Sequence, residues 1–107
     1  MSTLLIGGGG LIGPVLVEKM LEAKENLVVY SAHPPQKPLP DVRYYTGDVC
    51  EYGLLYRIYR ENSIDRVIHN AGVSSPKLYP KDPYKICRVN VDGVLTSLEM
   101  AYEYGVS

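Results

Sequence analysis

The amino-acid sequence predicts an α/β protein with an open parallel sheet and helices on both faces. Two observations carry this prediction. Short runs of β-branched and other apolar residues alternate with segments of helical periodicity, and this alternation is typical of parallel strands joined by right-handed crossovers. A run of glycines, IGGGGLIG at residues 6–13, also lies between the first apolar run and the first helical segment.

Four β-rich runs predict the strands of this sheet. They are residues 3–6 (TLLI), 27–31 (LVVYS), 42–46 (VRYYT) and 66–71 (RVIHNA). The link between the second and the third, residues 32–41, contains four prolines. Because a helix interior does not tolerate proline, we expect this crossover to be an extended loop.

Three segments have helical periodicity, at residues 11–24, 51–62 and 84–104. Each places apolar side chains on one face, and we expect these faces to pack on the sheet. The predicted inward residues are Ile12, Leu16, Met20 and Ala23 in the first, Leu54, Leu55 and Ile58 in the second, and Val91, Val94, Leu95, Leu98 and Ala101 in the third.

Length, charge and cysteine content limit the classes of function. A chain of 107 residues forms one small domain, 1–107, and its formal net charge of −1 with no basic patch predicts no nucleic-acid partner. No apolar run approaches the ~20 residues that span a bilayer, and the start lacks signal-peptide features, so we expect no membrane association and a cytoplasmic location. Cys50 and Cys87 are isolated, which predicts ordinary buried or half-buried thiols and no metal site.

The glycine run has the spacing of a phosphate-binding turn. Gly7, Gly10 and Gly13 form G-x-x-G-x-x-G directly after a predicted strand and at the opening of a helix. Gly7 permits a tight turn, Gly10 lets the backbone approach a pyrophosphate, and Gly13 lets the helix pack closely on the strand. The helix N-terminus offers N–H groups to phosphates, and Pro14 suits its first turn. The pattern predicts a dinucleotide site on a Rossmann-type sheet, with a flexible loop that binds nothing as the alternative.

Four motifs in this order give the sequence a family resemblance over residues 4–107. It resembles the extended short-chain dehydrogenase/reductases, which include the NAD-dependent epimerases and dehydratases. The family's TGGxGFIG is similar to IGGGGLIG (6–13), its GDxxD to GDVCE (47–51), its DxVIHLAA to DRVIHNAG (65–72), and its NVxGTxNLLEAA to NVDGVLTSLEMA (90–101). The resemblance implies about four strands in the order 3-2-1-4. The NAG of residues 70–72 departs from the usual LAA and is similar to the single-domain branch of the superfamily.

The resemblance also implies a set of cofactor-binding residues. Asp48 and Val49 would border the adenine, residues 70–72 would line the cofactor beyond the fourth strand, and Asn90 would support that strand from the third helix. The full set is Gly7, Gly10, Leu11, Ile12, Gly13, Ser31, Asp48, Val49, Asn70, Ala71 and Gly72.

Two residues near this set have a purely structural alternative. Asp48 is a good N-cap residue for the second helix, and capping can coexist with adenine binding. His69 lies in the fourth predicted strand, where no neighbouring group completes a proton relay, so we expect a packed or backbone-bonded histidine rather than a catalyst.

The residue at the end of the second strand determines which nicotinamide cofactor binds. An acidic residue there accepts hydrogen bonds from the adenosine ribose in NAD-binding sheets. The family places it 18 residues beyond the third glycine, where this sequence has Ser31. Losing the carboxylate removes its repulsion of a 2′-phosphate, and Ser31, His33 and Lys37 could donate to one. NADP is therefore slightly favoured over NAD, although no arginine is near enough to clamp the phosphate. A site that binds neither well is a third alternative.

The superfamily's catalytic pair is absent from the sequence. Its chemistry resembles that of a Tyr-x-x-x-Lys arrangement, and none of the ten tyrosines is followed by lysine at the fourth position. We therefore expect no catalytic residue and interpret the chain as the NAD(P)-binding N-terminal part of a nucleotide-sugar epimerase/dehydratase or related oxidoreductase, ending before the fifth strand and without the substrate-binding part. The alternatives are a stand-alone NAD(P)-sensing module and an orphan fragment with only an interaction role.

The predicted strand order leaves the fourth strand at an edge. In a complete family member this strand would be internal. Apolar strand edges invite pairing with another chain, and the loop at residues 32–41 leaves the face beside the first helix thinly covered. Both features predict a homo-oligomer, formed through the exposed sheet edge or the uncovered face.

Overall fold

Four parallel strands form the sheet in the described part of the chain, in the order β3-β2-β1-β4. The computed structural model describes residues 2–8, 13–23, 26–35, 37–48, 50–71 and 82–106. The elements in chain order are β1 (Ser2–Ile6), α1 (Gly13–Glu22), β2 (Asn26–Ser31), β3 (Val42–Thr46), α2 (Tyr52–Glu61), β4 (Ile64–His69), α3 (Pro83–Cys87), a π-helical turn (Arg88–Asp92) and α4 (Gly93–Glu103). The predicted fold class and strand order are confirmed.

The sheet is buried on both faces because alternate side chains of its central strands enter different cores. On one face, Leu4 and Ile6 of β1 pack with Leu55 and Ile58 of α2. On the other face, Leu5 packs in a core that contains residues of α1. The inward residues of that second core are Val17, Met20, Leu27, Val29 and Val42. Helices therefore cover both faces, as predicted.

The crossover between β2 and β3 is an extended loop, as its prolines predict. No helix is present in its described residues, 32–35 and 37–41. In the described ranges, no helix is long and apolar enough to cross a bilayer.

The fourth strand lies two residues earlier than predicted. β4 runs over Ile64–His69 rather than 66–71. Its partner β1 ends at Ile6, because Gly7 then leaves the strand with a φ of 91°. The last bond between the two strands runs from Asn70 N to Ile6 O at 2.7 Å. Asn70 and Ala71 consequently lie just beyond the strand, where they can take part in a site.

The inward face of α1 differs from the prediction. Val17 and Met20 are buried with Gly13, whereas Leu16 is half-buried and Ala23 is exposed. The cause lies at the start of the helix, where a Cβ on Gly13 would overlap the backbone of Gly8. This contact fixes the rotation of α1 and turns positions 13, 17 and 20 inward. Ile12 lies outside the described residues.

The predicted face of the third helix is wrong at Val91, Leu95 and Leu98, whereas the other two predicted residues, Val94 and Ala101, are half-buried. The segment is not one helix but α3, the π-helical turn and α4, and α4 buries Gly93, Thr96, Ser97 and Met100. The predicted inward residues Leu95 and Leu98 are 57% and 61% exposed, and Val91 is 55% exposed. A π-helical turn inserts an extra residue per turn and so shifts the phase of the helix that follows.

Small residues let α4 approach the sheet. The hydroxyls of Thr96 and Ser97 donate to the carbonyl oxygens four residues earlier, Asp92 O at 2.7 Å and Gly93 O at 2.9 Å. Their polar atoms are therefore satisfied inside the helix and can be buried without loss.

The two cysteines are free thiols. Cys50 is half-buried, as predicted, but Cys87, the last residue of the short helix α3, is exposed, so the prediction is wrong for Cys87. Burial and the neighbouring Asp48 carboxylate raise the pKa of the Cys50 thiol, which keeps it protonated. In the described part of the chain no group of three His, Cys, Asp or Glu side chains could hold a metal ion.

Candidate functional site

The glycine turn packs directly against the end of β4. Gly7 has a φ of 91°, and a Cβ there would lie 2.5 Å from Ala71 N. The Asn70 side chain donates from Nδ2 to Gly7 O at 3.0 Å. Gly7 N in turn donates to Tyr30 O at 2.7 Å. Gly7 is thus held between β2 and β4 in a conformation and at a distance that only glycine tolerates.

The start of α1 faces the same edge of the sheet. The close contact of Gly13 with Gly8 draws the helix N-terminus up against the turn that follows β1. The first turn of α1 carries no acidic residue. Free N–H groups and the partial positive charge at a helix N-terminus suit an anion such as pyrophosphate. Gly10, Leu11 and Ile12, which the sequence places between these points, lie outside the described residues.

Ser31 is the last residue of β2, and its hydroxyl oxygen can still accept a hydrogen bond. Its hydroxyl donates to His33 O at 3.2 Å, and its carbonyl accepts from Gly47 N at 3.0 Å. Since the hydroxyl hydrogen is already used, the Oγ lone pairs remain to accept a hydrogen bond. His33 and Lys37 are both exposed in the proline-rich loop.

Asp48 shapes the turn between β3 and α2. Its Oδ1 accepts from Cys50 N at 2.9 Å, and its carbonyl oxygen accepts from Glu51 N at 2.9 Å. The N-cap position of α2 is Glu51, which makes no side-chain capping bond. Asp48 therefore closes the turn that precedes the helix instead of capping the helix itself. Val49 lies outside the described residues.

His69 is part of the packing between β4 and α4. Its Nδ1 lies 3.1 Å from the Ser97 hydroxyl. Because that hydroxyl donates its hydrogen to Gly93 O, we assign the Nδ1–H of His69 as the donor to Ser97. Burial lowers the pKa of His69, which keeps the ring neutral. This environment agrees with the structural interpretation of His69. Asn90, the residue expected to support β4, is exposed in the π-helical turn.

The described candidate residues form two groups at the carboxyl edge of the sheet. Gly7, Asn70 and Ala71 are in contact at the ends of β1 and β4, where the strand order reverses. Ser31 and Asp48 form the second group at the ends of β2 and β3. Ligands of open α/β sheets bind outside the carboxyl ends of the strands, at the point where the order reverses. Gly72, the remaining candidate, lies outside the described residues.

Tyr30 connects the two groups, and the sequence analysis did not identify it. Its carbonyl accepts from Gly7 N, and its hydroxyl donates to Asp48 O. The indication in the sequence was a tyrosine that follows three aliphatic residues in the strand LVVYS. This indication does not reveal the hydroxyl's partner, because Asp48 lies 18 residues further along the chain.

The sheet and its carboxyl-edge glycine turn define a Rossmann-type fold. The chain belongs to the NAD dependent epimerase/dehydratase family, whose model matches residues 3–107. The resemblance inferred from the four motifs is confirmed.

Individual relatives extend the comparison. A UDP-glucose 4-epimerase of Lacticaseibacillus casei is 32% identical over 111 residues, which cover 99% of this chain and 33% of that protein. The crystal structure of a Thermus thermophilus UDP-glucose 4-epimerase in complex with NAD has a TM-score of 0.90 at 30% identity and covers 100% of this chain and 35% of that chain. A monomeric L-threonine 3-dehydrogenase from a metagenome has a TM-score of 0.87 at 26% identity, with 98% and 34% covered. The chain spans about a third of the length of these relatives.

Proposed function

We propose that this chain is the NAD-binding part of an enzyme that acts on nucleotide sugars, and that the cofactor lies along the carboxyl edge of the sheet. The observation that carries this proposal is the contact of Gly7 with Asn70 and Ala71, which leaves no room for a Cβ where β1 and β4 end. The backbone there is as close-packed as a pyrophosphate-binding turn requires.

Different residues of the chain would contact different parts of the cofactor. The free backbone N–H groups at the N-terminus of α1 would hold the pyrophosphate, whereas the Gly7 N–H is already bonded to Tyr30 O. Ser31 would contact the adenosine ribose, Asp48 and Val49 the adenine, and residues 70–72 the nicotinamide half. Bound NAD supplies the hydride acceptor of the family's chemistry. The residues of this chain bind and orient the cofactor, and we assign none of them a proton-transfer step.

Calorimetric titration with NAD tests this proposal directly. Gly10→Val should abolish measurable binding, because its side chain would occupy the path of the pyrophosphate. Gly53→Ala is the matched control, since a Cβ at Gly53 on the exposed side of α2 meets no atom within 4 Å. A folded Gly10→Val variant that binds NAD as tightly as the unmodified chain would refute the proposal.

NAD is the cofactor we propose, in preference to NADP. The family's description and the complexed Thermus thermophilus relative both name NAD. The Ser31 hydroxyl already donates to His33 O, so it can accept from a ribose hydroxyl but would have to break that bond to donate to a 2′-phosphate. The slight preference for NADP that follows from the absent carboxylate has no support beyond the sequence.

Ser31→Asp is expected to raise the ratio of the NADP dissociation constant to the NAD dissociation constant by about 10- to 100-fold. A carboxylate supplies a charge-assisted acceptor for the ribose hydroxyls and repels a 2′-phosphate, an effect of roughly 1.5–3 kcal/mol. Parallel titrations with the two cofactors measure the ratio. Ser31→Asn, which adds similar bulk without charge, is the control, and an unchanged ratio in Ser31→Asp would place the ribose elsewhere.

The relatives, rather than residues of this chain, support the substrate class that we propose for the whole enzyme. Curated relatives such as the Lacticaseibacillus casei protein are UDP-glucose 4-epimerases, which favours a nucleotide sugar. The structural likeness to an L-threonine 3-dehydrogenase keeps a small-molecule dehydrogenase as the second candidate. A stand-alone NAD-sensing module and an interaction-only role are further alternatives, and a cytoplasmic location stays a prediction.

Self-association is a further part of this proposal. β4 is an edge strand in the described part of the sheet, and α4 carries the exposed apolar side chains Leu95 and Leu98. Unpaired strand edges and exposed apolar side chains both favour contact between copies. Light scattering across a concentration series is expected to show a dimer or larger species. A monomer at the highest concentration would contradict this expectation.

A further inference from the structure

Tyr30 places a hydroxyl group at the border between the core and the candidate site. It is 0% exposed and is the largest fully buried side chain in the described residues. Its ring belongs to the core cluster that contains Leu55 and Ile58 of α2. Its hydroxyl lies at the edge of this core, near the carboxyl end of β2, and donates to Asp48 O.

The turn that receives this bond is held by two kinds of contact. Cys50 N to Asp48 Oδ1 and Glu51 N to Asp48 O are bonds within the turn and fix its shape. The Tyr30 hydroxyl and the bond from Gly47 N to Ser31 O join the turn to β2 and fix its position. These latter two bonds set the separation between Ser31 and Asp48.

We propose that Tyr30 is a positioning residue for the adenosine half of the cofactor, because its hydroxyl holds the Asp48 turn at a fixed place relative to Ser31. The inference rests on the proposed NAD site and adds a residue that does not touch the ligand. Its effect is preorganisation: a turn that is already in place does not have to be ordered when the adenosine binds, so affinity is higher.

The hydroxyl is suited to this role because it stays a donor. Burial raises the pKa of the Tyr30 phenol, and the nearby Glu51 and Asp48 carboxylates raise it further. The phenol is therefore protonated throughout the physiological pH range, and the bond to Asp48 O does not switch with pH.

The chain provides a matched control in Tyr59. This residue belongs to the same core cluster as Tyr30 and is nearly as buried. Its hydroxyl is also buried but has no hydrogen-bond partner among the described residues. Tyr30→Phe and Tyr59→Phe thus remove the same atom from the same core, but only the first removes a bond to the candidate site.

The test measures nucleotide affinity and local order in both variants. Tyr30→Phe should weaken binding of NAD and of ADP by the same factor, about 5- to 10-fold, as expected for one lost hydrogen bond that leaves the turn less ordered. Amide hydrogen exchange without nucleotide should become faster at Cys50 and Glu51 but not in β1 or β2. Tyr59→Phe should leave both affinities and these exchange rates unchanged.

Each outcome has one interpretation. Equal losses of NAD and ADP affinity, with faster exchange confined to the turn, support the positioning role. Unchanged affinities, or exchange that quickens throughout the sheet as in a core defect, overturn it. If the unmodified chain binds neither NAD nor ADP, the proposed function and this inference are both overturned. If the unmodified chain binds both and Tyr30→Phe binds them equally well, only this inference is overturned.

Discussion

Gly7→Ala is expected to lower the free energy of unfolding by about 3 kcal/mol and to abolish NAD binding. Two costs combine at this position. The backbone has a φ of 91°, which an L side chain rarely adopts, and the added Cβ would lie 2.5 Å from Ala71 N and 2.7 Å from the carbonyl carbon of Asn70. These are backbone atoms that cannot rotate away, so β1 and β4 must separate at the edge where the cofactor is proposed to lie.

Substitutions at Gly105 and Gly53 distinguish the cost of the positive φ from the cost of the close contact. Gly105 also has a positive φ, 65°, but a Cβ there meets no atom within 4 Å, so Gly105→Ala should cost only about 1 kcal/mol. Gly53 has neither constraint, and Gly53→Ala in α2 should raise stability by up to ~1 kcal/mol. Urea denaturation of the three variants measures the differences. Equal losses at Gly7 and Gly105 would show that the contact with β4 is not made.

Leu55→Ala is expected to lower the free energy of unfolding by about 2–5 kcal/mol. Leu55 is 0% exposed and packs in the core between α2 and the sheet, together with Leu4 and Ile6. The truncation removes buried apolar surface and leaves a cavity that its neighbours fill only in part. For a domain whose total stability is on the order of 5–15 kcal/mol, this loss is large.

Leu98→Ala provides the same chemical change in a helix at an exposed position. Leu98 in α4 is 61% exposed, so at protein concentrations where the chain is monomeric its truncation should change stability by less than about 0.5 kcal/mol. The comparison also separates the two descriptions of α4, because the periodicity of the sequence places Leu98 inside and the structure places it outside. A loss at Leu98 as large as that at Leu55 would support the sequence-based face.

The strands could be predicted because local composition determines them. Three of the four predicted runs match β1, β2 and β3 to within one residue. The shift of β4 could not be predicted, because β4 ends where β1 ends, and β1 ends at the positive φ of Gly7. The C-terminal end of β4 is thus determined by Gly7, which lies far from β4 in the sequence.

The helix faces were less predictable because apolar periodicity does not reveal what a helix packs against. In α1 the contact of Gly13 with Gly8 sets the rotation. In α4 the close approach depends on Thr96 and Ser97, whose buried hydroxyls donate within the helix. A periodicity analysis counts such residues as polar, although an internal hydrogen bond makes them suitable for burial.

The positions of Gly7 and Asn70 at one edge of the sheet were predictable from the order of the motifs, and their role in cofactor binding stays a prediction. Its internal bonds were not predictable. The Asn70 amide donates to Gly7 O, and the Tyr30 hydroxyl to Asp48 O. Both bonds join residues brought together by the parallel crossovers, so neither pair is adjacent in any sequence pattern.

The most direct test of the carboxyl-edge site is an amide-resolved NMR titration of the chain with NAD. The predicted result is saturable shifts at the amides of the two groups, Gly7, Asn70 and Ala71 in the first and Ser31 and Asp48 in the second, with little change at the far ends of the strands. Shifts confined to α4 and the C-terminal end of α1, or no shifts at saturating NAD, would contradict the account.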